Sequence, residues 1–376
     1  MIYQLIPEHV IFSTAIPTAL LHYAGDVEQT FVFYRADDKP YSKDKQYDYV
    51  EIVKQNLGRS FSYVYMHEFR GPISEESVFR IFNFPIKVFN KIIRTFLAII
   101  QKPYNPYFYL KHITEEDRLI IHGELSYYSE SLLTYISKNV KHYDWFCHGS
   151  TYLICLPKNQ NFIRNVRKII CLMQPDEEFV KKECPQTKTQ VLSYMVIKQS
   201  VMVNDTKSRK ILLGNNSYRI DEYKKLFPIL QSLNAPVTFM IPYGYIQEKV
   251  ESFKKDASRA LSNVEYWTDV VSYEEYKKRI AAYKVYMCPA IGQSGLGAIN
   301  ACFFAGVKVY IAGNNYEFEK QNGYIVNNIS ELQNQTIEEI LQYDETDRQY
   351  NMELVQKLYD ETEQSKNWHN YLLEQV

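Results

Sequence analysis

The 376-residue sequence carries almost no net charge: 43 Lys and Arg face 44 Asp and Glu, a formal −1. A nucleic-acid binder that depends on a broad basic field is therefore not expected. The six cysteines (Cys147, Cys155, Cys171, Cys184, Cys288 and Cys302) are scattered, with no CxxC pair and no Cys/His cluster at zinc spacing. That excludes a recognisable disulfide framework or structural zinc site and reads as reduced, mostly buried thiols in a cytoplasmic protein. No apolar run reaches the roughly 18–20 residues of a membrane span. The opening residues, Met1, Ile2, Tyr3 and Gln4, lack a basic n-region, so no secretory signal is expected.

What is present is enough for two cores. Hydrophobic residues make up 46% of a chain longer than one domain usually holds. Residues 9–34 read as strand, helix and strand, and residues 60–66 as a further strand, so α/β alternation starts early. Between Glu76 and Glu115 there is no acidic residue. Within that stretch Arg80, Lys87, Lys91 and Arg94 fall on one helical stripe and apolar residues cover most of the rest, with the main helix starting near Pro85. Two readings stand: a helix buried between layers with a narrow solvated stripe, or an interfacial helix whose cations meet anionic lipid headgroups. Further on, two strand patterns end in polar, glycine-containing turns, one at His122-Gly123-Glu124 and one at His148-Gly149-Ser150. In open α/β sheets the carboxyl ends of strands face ligands. Glu124, His148 and His122 are thus candidates for a general base and its positioning, or simply hydrogen-bonded turn residues.

A polar segment near residues 204–210 gives the best domain boundary. After it the alternation becomes regular: a strand at 211–213, a turn at 214–219, a helix at 221–233, a strand at 236–242, a helix at 245–261, a strand at 264–267, and a helix opened by Ser272 and Glu275 in capping-box spacing. Residues 283–289 form the next strand. The glycine-rich turn 290–297 and a small-residue helix follow, ending at Gly306, and residues 307–311 return as a strand. Such a turn is either a tight corner or an anion site, since the first N–H groups of the next helix point outward unpaired. A short strand at 323–326 and a long helical region complete the chain. The expected architecture is α/β, two Rossmann-like doubly wound domains facing across a cleft: residues 1–203, residues 204–345, and a helical region 346–376 that packs back on the first domain. GT-B glycosyltransferases and some sugar-nucleotide epimerases are built this way.

Three stretches carry a closer resemblance. Ile211, Leu212 and Leu213 followed by Gly214, Asn215, Asn216, Ser217 and Arg219; residues 237–242 followed by Tyr243-Gly244-Tyr245; and Gln293-Ser294-Gly295-Leu296-Gly297 with Ala305-Gly306-Val307 are similar to the TDP-N-acetylfucosamine:lipid II N-acetylfucosaminyltransferases. The likeness covers residues 209–326. In the first half His122-Gly123-Glu124 stands where that family has His-Gly and a polar residue, and His148-Gly149-Ser150-Thr151 departs from its Trp-Gly-x-Asp. The resemblance implies a GT-B glycosyltransferase that moves a deoxyamino sugar from a nucleotide diphosphate donor, TDP favoured, to a lipid-linked saccharide for surface polysaccharide. It further implies no bound metal, and no other cofactor is expected; with the scattered thiols and the basic stripe, the expected protein is cytoplasmic with a peripheral contact on the inner face of the plasma membrane. Donor binding falls to Gly214, Asn215, Asn216, Arg219, Tyr243, Gln293, Ser294, Gly295, Leu296 and Gly297, and membrane contact to Arg80, Lys87, Lys91 and Arg94. With no metal-binding Asp-x-Asp, positive potential for a departing diphosphate would come from the helix N-terminus after Gly297, the turn after Gly214, and Arg219. Glu124 is the first choice of base, His148 the second, and His122 a positioning residue. A sugar-nucleotide epimerase and a non-catalytic nucleotide-sugar-binding protein are the alternatives on the same scaffold.

Overall fold

Among the described residues thirteen short strands sort into two sheets in which every pairing is parallel. The structure is a computed structural model, and it describes residues 1–8, 12–36, 49–68, 110–148, 152–193, 207–242 and 247–374. The chain divides into two compact units. The first comprises Met1–Leu172, Glu177–Met195 and Ser365–Val376, and the second Met173–Asp176 and Val196–Gln364.

The first unit holds β1 (Ile2–Pro7), β2 (Gln29–Ala36), β3 (Ser62–Glu68), β4 (Arg118–His122), β5 (Tyr143–Phe146), β6 (Lys168–Cys171) and β7 (Lys188–Val191), in the order β3-β2-β1-β4-β5-β6-β7. The central strands are continuous apolar runs because both faces are covered: Leu119, Ile120, Ile121, Trp145 and Phe146 are fully buried. The last helix, Glu361–Leu372, joins this unit from Ser365 onward. Its Trp368 stacks on Phe146 with ring centroids 5.6 Å apart. Its Tyr371 donates to the buried Asp144 carboxylate at 3.0 Å, and Arg118 donates to the Tyr371 carbonyl at 2.9 Å. Arg167 closes a bidentate pair on Asp144, Nε to Oδ1 at 2.8 Å and Nη2 to Oδ2 at 2.5 Å.

The second unit holds β8 (Ser208–Leu213), β9 (Val237–Met240), β10 (Val264–Trp267), β11 (Tyr283–Cys288), β12 (Lys308–Ile311) and β13 (Asn327–Asn328), ordered β10-β9-β8-β11-β12-β13. Both sheets thus reverse direction once, between β1 and β4 and between β8 and β11, which creates a switch point in each. All six cysteines are buried and free.

Several local expectations are corrected. The first strand is Ile2–Pro7, ahead of residue 9, and residues 9–11 lie outside the described ones. The helix expected over 221–233 is broken into Ile220–Lys224 and Phe227–Ser232. Pro228 has no N–H to return to the Lys224 carbonyl, so the ladder fails there. The strand expected at 323–326 is instead a helix ending. Gly323 sits at φ +92, Tyr324 N–H donates back to the Glu319 carbonyl at 2.9 Å, and pairing with β12 begins only at Asn327. The basic stripe of Arg80, Lys87, Lys91 and Arg94 lies outside the described residues, among which no helix is long and apolar enough to cross a membrane.

Candidate functional site

In the second unit three neighbouring strands, β8, β11 and β12, deliver their carboxyl ends side by side, and the loops that follow them are knitted together. After β8, Gly214 adopts φ +90, where a Cβ would lie 2.6 Å from the Tyr223 ring. Only glycine meets both conditions. Tyr223 then fixes the loop: its hydroxyl accepts from the Asn215 N–H at 3.1 Å and donates to the Asn216 carbonyl at 2.8 Å. The Asn216 side chain accepts from Tyr218 N–H at 2.9 Å and so caps the turn Ser217–Arg219. Arg219 is paired with Glu222 at 2.8 Å, so part of its charge is already answered within the loop.

After β11, Gly295 takes φ +72 and opens the helix Leu296–Phe304. The helix therefore starts at Leu296, two residues earlier than the sequence pattern places it, and Gly297 lies in its first turn. A left-handed residue reverses the chain immediately before a helix, which is why the start falls there. Gly295 supplies no side-chain cap, leaving the first N–H groups to whatever approaches. The two glycine turns touch. A Cβ on Gly295 would lie 3.2 Å from Asn215 Cγ, and Ser294 Oγ donates to Asn215 Oδ1 at 3.4 Å. Gln293 is 4% exposed, and its amide oxygen has no hydrogen-bond donor among the described residues. An acceptor left bare in that position calls for an O–H or N–H group.

After β12 comes the third loop, which sequence reasoning missed. Asn315 is fully buried, donates to the Ser294 carbonyl at 2.7 Å and accepts from Ser294 N–H at 3.3 Å. This reciprocal amide contact holds the Gly295 turn in place. The signal was available: Gly313, Asn314 and Asn315 are a polar cluster at the end of an apolar strand. Tyr223 gave no such signal, because an aromatic on a helix face reads as core. Tyr243 lies outside the described residues. The Trp267 indole donates to the Asp269 carbonyl at 2.9 Å with Arg279 over its face, a packed position at the end of β10.

In the first unit the ends of β4 and β5 bring His122 and His148 together, Nδ1 to Nε2 at 3.4 Å. Burial pushes the His122 imidazole well below its ordinary range, with the neighbouring His148 adding to it, and burial lowers His148 to about 3. Both rings are therefore neutral near pH 7. Glu124 follows Gly123 (φ +88) and stands half-buried at the start of the turn Leu125–Tyr127, where it makes no side-chain capping bond. The strand end is held by Trp145, whose indole donates to the Gly123 carbonyl at 2.8 Å, and by the Tyr128 hydroxyl, which donates to the His122 carbonyl at 2.6 Å. Among the described residues no group of three or more His, Cys, Asp or Glu is placed to hold a metal ion.

No family model and no curated protein matches the sequence. Solved structures do match the fold. A mutant of S. aureus TarM, crystallised with fondaparinux, α-GlcNAc-glycerol and UDP, aligns over 99% of this chain and 99% of its own at 11% identity, with a TM-score of 0.62. A trehalose-6-phosphate structure from E. coli bound with UDP-2-fluoro glucose aligns over 100% and 99% at 10% identity and a TM-score of 0.60. The pneumococcal O-GlcNAc transferase GtfA, in complex with UDP and GlcNAc, is 11% identical with a TM-score of 0.51 over 75% of this chain, which spans 59% of that protein. These likenesses place the chain in the GT-B fold, two parallel α/β units, as the sequence led one to expect.

Proposed function

We propose that the protein is a glycosyltransferase that takes a sugar from a nucleotide diphosphate donor. The observation that carries this reading is the meeting of the Gly214 and Gly295 turns at the switch point of the second sheet, before an uncapped helix N-terminus. Gly214, Asn215, Asn216, Ser294, Gly295, Leu296 and Gly297 form the diphosphate cradle, where backbone N–H groups and the helix dipole stabilise the charge that develops on the leaving group. Gln293 contributes a bare acceptor, which suits a hydroxyl of the sugar rather than a phosphate oxygen. Arg219 supports the cradle while sharing its charge with Glu222, and Tyr243 is assigned to the base. In the first unit Glu124 is the first-choice general base for the acceptor hydroxyl, His148 the second, and His122 a positioning residue.

The finer reading is transfer of a deoxyamino sugar to a lipid-linked saccharide in surface polysaccharide synthesis, at the inner face of the membrane and without a bound metal. It draws support from the sequence resemblance and from the basic stripe Arg80, Lys87, Lys91 and Arg94. The resemblance favours TDP, whereas the UDP in the complexes of similar fold favours uridine. The test is donor turnover over a panel of TDP- and UDP-sugars, with binding of both nucleotides measured by calorimetry. Tight nucleotide binding without turnover of any donor would select a nucleotide-sugar-binding protein, and stereochemical inversion of the free sugar nucleotide would select an epimerase. Flotation on anionic liposomes, with the four basic residues neutralised, tests the membrane contact: unchanged binding rules it out.

A further inference from the structure

On one face of the first sheet four polar side chains lie buried in a line: Gln29, Gln4, His122 and His148. Their placement follows from register. Ile2 pairs with Gln29 and Gln4 with Ile120, so Gln29, Gln4 and His122 project to the same side of the pleat. The line is hydrogen-bonded along its length. Gln29 Nε2 donates to the Ala24 carbonyl at 3.0 Å, and Gln4 Nε2 donates to Gln29 Oε1 at 2.8 Å. Gln4 Oε1 meets His122 Nε2 at 2.7 Å, and His122 Nδ1 meets His148 Nε2 at 3.4 Å.

The direction of this line is fixed at one end, because a backbone carbonyl can only accept. The Gln29 amide must turn its NH2 to Ala24, which leaves its oxygen toward Gln4. Gln4 must then give its NH2 to Gln29 and present its oxygen to His122. An oxygen at 2.7 Å requires the proton of His122 on Nε2. A neutral His122 so protonated has a bare Nδ1, and the facing nitrogen of His148 must donate. The opposite arrangement sets two acceptors against each other at Ala24. The walls are apolar: Phe146 stacks on His122 with centroids 5.4 Å apart and on His148 at 4.7 Å, and Trp368 covers Phe146. Besides burial, proximity to His148 disfavours the charged form of His122, and the Tyr128 phenol donates to the His122 backbone carbonyl.

We propose that Gln4 and Gln29 are positioning residues that hold both histidines as the Nε2–H tautomer and thereby make Nδ1 of His148 the accepting nitrogen at the carboxyl end of β5. The chemical use of that nitrogen rests on the transferase reading, in which an acceptor hydroxyl donates to it. A proton gained there stays on the histidine pair, since neither amide can pass it on. The tautomer itself does not depend on that reading.

The experiment is 15N–1H correlation spectroscopy of the imidazoles in the full chain, labelled at histidine, from pH 5.5 to 8. The expected spectrum shows His122 and His148 as neutral Nε2–H tautomers throughout. In Gln4→Leu the His148 signals shift to a mixture of tautomers, and kcat for transfer falls about tenfold or more with donor KM unchanged. Gln4→Glu keeps an acceptor against His122 Nε2 but leaves Gln29 Oε1 without its donor, so it should retain the Nε2–H pattern at a loss of stability and raise the pH at which the pair protonates. If Gln4→Leu does not fold, Gln29→Leu releases the Gln4 amide to flip and serves in its place. A His148 found as Nδ1–H, or as imidazolium at pH 7, overturns the proposal, as does an unchanged tautomer pattern in folded Gln4→Leu. Absence of donor turnover alongside the expected tautomers defeats the transferase reading and leaves this one standing.

Discussion

Replacing Gly295 by alanine probes the donor turn most directly. Two separate costs apply. A non-glycine residue at φ +72 costs about 1–2 kcal/mol from the clash of Cβ with its own backbone. The added methyl would also stand 3.1 Å from the Tyr286 hydroxyl and 3.2 Å from Asn215 Cγ, tighter than ordinary contact, so Asn215 must give way by a few tenths of an ångström. The expected destabilisation is about 2 kcal/mol, a fall in Tm of about 4–8 °C for a unit of this size. Nucleotide binding should suffer more than stability, because the displaced Asn215 is itself part of the cradle: affinity for UDP or TDP is expected to drop at least tenfold, or about 1.4 kcal/mol. Differential scanning calorimetry with and without nucleotide reads both quantities. The double variant Gly295→Ala/Asn215→Ala relieves the crowding and leaves the backbone cost, so it should regain less than half of the lost stability and none of the affinity. A folded Gly295→Ala protein that binds nucleotide as tightly as the wild type would refute the cradle.

Glu124→Gln is expected to retain donor affinity and lose transfer, measured as separate KM and kcat effects; retained transfer removes Glu124 as the base. Asp144→Asn breaks the pair between the fully buried Asp144 and the partly buried Arg167 and weakens the Tyr371 contact, and should cost about 3 kcal/mol in a denaturant titration. His369 faces Asp26 at 2.6 Å and donates to the Ser365 carbonyl, which raises its pKa, while the His369 contact lowers that of Asp26. The raised histidine stabilises below its unfolded value near 6.5 and loses that contribution as pH rises through the folded value. The lowered aspartate stabilises above about 4 and loses its share in more acid solution. Protection factors for Glu361–Leu372, corrected for the intrinsic pH dependence of amide exchange, should therefore be larger at pH 5.5 than at pH 8, and His369→Gln should flatten the difference.

The second sheet was legible because its signals are local. Glycine at 214 and 295 announces backbone that side-chain-bearing residues rarely adopt, and the short apolar runs around them fit a buried parallel sheet. The first sheet was less so. β1 was overlooked because Gln4 interrupts an apolar run, and only the structure supplies the partners that make a buried amide tolerable. β6 is four residues long, with Lys168 opening it and tied to Gln190 and Glu374, contacts distant in sequence. The site divides the same way: the glycines and Gln293 declare themselves, while Tyr223 and Asn315 act through hydrogen bonds to loops seven to twenty-one residues away. His122 and His148 are legible as strand-end residues, yet their pairing follows from the adjacency of β4 and β5 and their neutrality mainly from burial.

The buried Asp144 is satisfied partly by Tyr371, and Phe146 by Trp368, so the first unit lacks part of its core until the final helix has been made. The second unit draws almost wholly on one unbroken run, Val196–Gln364. The first unit therefore cannot complete its core until residues 365–374 have been made, although all of its strands come earlier in the chain. Chaperone dependence of the nascent protein should fall on the first unit.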